Sequence, residues 1–125
     1  IHHHPFSWSS NEPKILGYSL EDLLYLKNAQ DFLEWCALKN IPLILHGHKH
    51  VPRHVVEPIN VDGRWRTIQS IGCGSSLGAE DGPLSYNILS WHPQTQNWSA
   101  AFWVDNGKAT GFTQRYISVS NTQSN

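Results

Sequence analysis

Two kinds of hydrophobic pattern divide this chain. Between Ser19 and Lys39 the apolar residues Leu26, Ala29, Leu33, Cys36 and Ala37 recur at helical spacing. Ser19 with Asp22 forms a capping box at the start, and Asn28 with Asp31 offers a second start. The pattern predicts one helix over 19–39, or two broken near Asn28, stopped by Asn40-Ile41-Pro42. Leu43-Ile44-Leu45 is a short apolar run that predicts a strand buried on both faces. Ile1 to Phe6 reads as the end of an earlier strand entering a loop, so the order predicts a βαβ crossover in a parallel sheet.

After Pro52 the period changes to two. His54–Val61 and Arg64–Ile71 flank Asp62-Gly63, a strong hairpin signal. Leu84–Trp91, Asn97–Val104 and Phe112–Val119 predict three more strands, joined by His92-Pro93-Gln94-Thr95-Gln96 and Asp105-Asn106-Gly107. Tyr86, Trp91, Trp98, Phe102 and Trp103 are expected to pack between sheets. The expected fold is α/β: a βαβ unit followed by antiparallel strands, with no linker between them.

Composition narrows the function classes. Hydrophobic residues make up 39% of the 125 residues and charged residues 15%, which fits a folded segment rather than a disordered one. A formal charge of −1 gives no strong nucleic-acid signal. No apolar run approaches the length of a membrane span. Two cysteines, Cys36 and Cys73, are too few for a disulfide scaffold, and a cytoplasmic protein with reduced thiols is expected.

Histidine is the outlier. Seven of the eight fall in two groups, His2-His3-His4 and His46, His48, His50 and His54. Three histidines near a chain start can be a tag remnant, but Ile1 before them and Pro5-Phe6-Ser7-Trp8 after them do not read as a vector scar. Pro5 restricts His4 to an extended backbone. The second group follows a predicted strand directly, and Gly47 lets the backbone bend there. Both groups are thus expected at one edge of a parallel sheet, where imidazoles suit Zn, Mn, Fe or similar ions. Gly72-Cys73-Gly74-Ser75-Ser76-Leu77-Gly78 lacks the Gly-Lys-Ser/Thr ending of a nucleotide loop, and Cys73 has no identifiable base.

His2-His3-His4-Pro5, the helix, and Leu43-Ile44-Leu45-His46-Gly47-His48-Lys49-His50 together resemble the late motifs of the calcineurin-like metallophosphoesterases. That resemblance implies a β-sandwich flanked by helices with two divalent metal ions (Mn, Fe, Zn or Ni) at the strand ends. It implies His50 on the first metal and His48 on the second, with His3, or else His2, also on the second. His46 is expected to support the site from behind its ligands rather than bind metal. Arg53 and His54, just beyond the second group, have two readings: substrate contact, since they lie near the proposed metals, or ordinary surface exposure. The reaction implied is hydrolysis of a phosphomonoester or phosphodiester by a metal-activated hydroxide.

The family's early motifs, Asp-x-His, Gly-Asp-x-x-Asp and Gly-Asn-His-Asp/Glu, do not occur in this sequence. Residues 1–125 are therefore expected to be the C-terminal portion of a metallophosphoesterase domain, partnered by an N-terminal half or companion segment. Two other readings stand beside the hydrolase. One is a non-catalytic interaction or regulatory module derived from the same fold. The other is a mononuclear zinc site of His3, His48 and His50.

Overall fold

The computed structural model describes residues 1–6, 26–48, 50–77, 83–107 and 111–119, the last five of them by backbone alone. The expected helix start at Ser19 lies outside the described residues.

Helix α1 spans Ala29–Leu38 and buries Ala29, Leu33, Cys36 and Ala37. Asn28 occupies the N-cap position, but its side chain makes no capping bond; its carbonyl instead accepts from the Phe32 amide at 3.0 Å. The helix end is specified more tightly. The Asn40 amide donates to Ala37 O (3.1 Å) and the Ile41 amide to Cys36 O (2.8 Å), with Asn40 left-handed at φ 54°. This is a Schellman stop with asparagine in the glycine position, followed by Pro42.

Strand β1 (Leu43–His46) pairs in parallel with β3 (Arg64–Gly72), and β2 (Arg53–Val61) pairs antiparallel with β3. The sheet order is β1-β3-β2. Asp62 (φ 51°) and Gly63 (φ 76°) make the left-handed turn between β2 and β3, as Asp-Gly predicts. Residues 1–2 are not a regular strand, yet they run beside β1 in the same direction. The Ile1 amine donates to Leu45 O (2.9 Å), and the Gly47 amide donates to His2 O (3.2 Å).

The second sheet, β4 (Ser85–His92), β5 (Asn97–Asp105) and β6 (Phe112–Val119), is antiparallel in that order. One core lies between α1 and the first sheet, built from Leu33, Cys36, Ala37, Ile44, Ile59 and Ile68 with Phe6. The other lies between the sheets, where Ile71, Ala100 and Phe102 meet Leu43, Leu89 and Trp98. The mixed α/β architecture is as expected, but the parallel pair is β1 with β3, not a strand at Ile1 with β1.

Two burial expectations are corrected. β1 is not buried on both faces: Ile44 and His46 are buried under the helix side, whereas Leu45 is 40% exposed. β1 is the outer strand of its sheet, and the second sheet reaches Leu43 but leaves Leu45 open. Nor do all five aromatics pack between sheets. Asn87 pairs with Phe102, and Tyr86 with Trp103, and neighbouring pairs on a pleated sheet face opposite ways. Phe102 and Trp98 therefore point inward, Tyr86 and Trp103 stack on the outer face at 6.0 Å, and Trp91 is left largely open at the hairpin end. No helix among the described residues is long and apolar enough to cross a membrane.

Candidate functional site

The parallel alignment of segment 1–2 with the end of β1 brings the two histidine groups together. The rings of His2 and His48 lie 4.5 Å apart, His3 and His48 4.7 Å, and His2 and His3 5.1 Å. His48 has φ 75°, a left-handed turn that presents its ring to the N-terminal segment just after Gly47. His48 Nδ1 and His2 Nε2 are 2.6 Å apart, so one ring donates a hydrogen to the other.

Behind this trio sits a buried pair. His4 is 1% exposed and its Nδ1 donates to Phe6 O at 2.7 Å. Its ring lies 6.3 Å from that of His46. The His46 ring covers Gly72, where an added Cβ would stand 3.1 Å from His46 Cε1 and from Val51 O. Gly72 therefore keeps the space into which His46 packs. Burial pushes the His46 imidazole below its ordinary value. The Gly47 carbonyl opposes that shift, and the charges of His4, the N-terminus and Arg53 add to it. His48 is also pushed down, first by desolvation and then by repulsion from His2, His3, His4 and His50. Both shifts favour the neutral imidazole, the form that can accept a proton or bind a metal.

The other expected residues divide. His50 is exposed with φ 55°, and it acts on His48 through its charge rather than by ring contact. Arg53 pairs with Gly72 across the sheet, and Gly72 pairs with His46, which puts Arg53 on the His46 row. His54, the next residue along β2, faces the opposite way, and its Nε2 meets Gln69 Oε1 at 2.9 Å. His54 thus belongs to the space between the sheets and not to the histidine trio. His4 carried no predicted role; the proline after it was the sequence signal for a fixed position.

A bridged two-metal centre does not fit the described residues alone. No group of three or more His, Cys, Asp or Glu among the described residues is arranged to hold a metal ion. The 2.6 Å separation of His48 Nδ1 and His2 Nε2 suits a shared hydrogen. Two nitrogens bound to one tetrahedral ion at about 2.1 Å would lie about 3.4 Å apart.

No family model and no curated protein matches the chain. Among solved structures, the chain is similar to Vps29. A single mutant of Vps29 from Entamoeba histolytica shares 13% identity with a TM-score of 0.45, over 76% of this chain and 48% of that one. A double mutant of the same Vps29 shares 13% identity with a TM-score of 0.48, over 78% and 49%. The chain spans about half the length of these Vps29 structures.

Proposed function

We propose that this chain is the C-terminal portion of a metallophosphoesterase-type sandwich that serves as an interaction or regulatory module. The observation that carries the reading is the outer face of the second sheet. Tyr86 (37% exposed), Ile88 (49%) and Phe112 (39%) lie there, with Tyr86 packed against both Trp103 and Phe112. A contiguous apolar face of this kind is a site of association rather than of solvation. The Trp103 indole N–H beneath this face is buried with no acceptor among the described residues. The occupant that fits is an amphipathic helix, from a companion segment or a protein partner, because sheets in α/β folds are closed by helices. Cys36 and Cys73 are free thiols, which agrees with a cytoplasmic setting.

The convergence of His2, His3 and His48 supports a second reading, the phosphoesterase itself. In it His3, His48 and His50 would be the late ligands of two divalent ions (Mn, Fe, Zn or Ni), and Arg53, on the His46 row, would be a substrate contact, whereas His54 faces away from that site. A companion segment would have to bring the carboxylates. One assay separates the two readings. The full-length protein, given Mn, Zn, Fe or Ni, is expected to leave p-nitrophenyl phosphate and bis(p-nitrophenyl) phosphate intact. Metal-dependent turnover that His48→Ala abolishes would overturn the module reading and establish the hydrolase.

A further inference from the structure

A second concave site lies at the opposite end of β3 from the histidines. It is a cavity of about 330 Å³ lined by Ala37, Leu38 and Asn40 from the end of α1, and by Val61, Asp62, Arg64 and Arg66 from the β2–β3 hairpin. Eight residue steps along β3 separate Arg64 from Gly72, a distance of about 26 Å at strand rise. The cavity is thus independent of the histidine site and of the reading drawn from it.

Its chemistry is set by two arginines two positions apart on one strand. They share a face of the pleated sheet, the one carrying Ile59 and Val61, which pair with Arg66 and Arg64. Among the described residues neither guanidinium makes a hydrogen bond or ion pair, and Asp62 lines the same cavity without pairing to either. Two unpaired guanidinium forks side by side match an oxyanion with several acceptor oxygens. A phosphate offers three, whereas a carboxylate offers two and occupies a single fork.

The opposite wall carries the reverse polarity. The C-terminal end of α1 brings the negative pole of the helix there, while Asp62, in the hairpin turn two residues before Arg64, brings a carboxylate to the rim of the strand side. An anion centred in the cavity would be repelled from that wall, so the phosphate belongs on the strand side. Hydroxyl or amino donors of the ligand then face Asp62 and Asn40. We infer that this cavity binds a small phosphorylated molecule, its phosphate held by Arg64 and Arg66 and its hydrogen-bond donors met by Asp62 and Asn40.

The test is calorimetric titration of the full-length protein with O-phosphoserine, with inorganic phosphate and serine as comparison probes. Arginine side-chain NMR signals are followed in parallel. O-phosphoserine is expected to bind saturably, to move the Arg64 and Arg66 signals, and to bind more tightly than inorganic phosphate. Arg64→Gln and Arg66→Gln should each weaken it about tenfold, and Asp62→Asn should weaken it while leaving inorganic phosphate unchanged. Arg64→Lys and Arg66→Lys, which keep the charge and remove the fork, guard against a folding artefact and should also weaken it. Absence of saturable binding, or binding untouched by the double substitution to Gln, would overturn the inference.

Discussion

The first sheet is covered twice, by α1 on one face and by the second sheet on the other, whereas the second sheet has a neighbour on one face only among the described residues. At the centre of the covered faces Ile68 and Ile71 are 1% and 0% exposed, although Leu45 (40%) and Val56 (52%) open toward the sheet edges, while on the open face Ile88 is 49% exposed. Hydrophobic surface left in water stabilises nothing until something lies on it. The contrast teaches that the fold carries a built-in demand for a further layer, and that the demand sits on the β4–β5–β6 sheet.

The largest effects should come from the covered side. Ile71→Ala is expected to cost about 3 kcal/mol of stability, and Ile68→Ala a similar amount, read as a fall in denaturation midpoint. Ile88→Ala on the open face should change the isolated chain by less than about 0.5 kcal/mol. If a partner is present, Ile88→Ala should approach the core values, which converts the comparison into a direct measure of burial.

Gly74 is the next test. A Cβ there would run into Ser85 Oγ and crowd the Ser85 backbone. Gly74→Ala should destabilise by about 1–3 kcal/mol through forced displacement of β4 from the loop after β3. Gly63→Ala is expected to cost about 1 kcal/mol, because its φ of 76° is left-handed.

The smallest effect concerns pH. The folded His46 imidazole is shifted below its ordinary 6.5, so the folded state holds fewer protons there than the unfolded chain. Its contribution is therefore present in full above about pH 6.5 and is lost as pH falls through that value toward the lower folded one. His46→Gln should flatten this part of the stability profile, measured by chemical denaturation across mildly acidic buffers. An unchanged slope would mean that His46 is not the titrating group.

The sequence disclosed the elements better than their faces. Asp62-Gly63 and Asn40-Ile41-Pro42 are local signals, and each sits where backbone geometry demands it, at φ 51° and 76° for the first pair and φ 54° for Asn40. Which side of a strand meets which layer depends on register instead. Alternation alone could not tell that Phe102 points inward while Trp103 points outward, nor that Arg53 joins the His46 row while His54 turns to Gln69. The meeting of His2 and His3 with His48 was legible because both groups follow segments that run in parallel. The left-handed backbone at both His48 and His50 was not legible, since neither position is a glycine.

The most direct measurement is site-specific photo-crosslinking from Ile88 in the full-length protein under native conditions. The account predicts one dominant product joining Ile88 to an apolar helical segment, from the same protein or from a partner. A full-length protein in which Ile88 forms no crosslink, and in which the amides of β4 and β5 exchange as freely as those of an uncovered sheet, would contradict it.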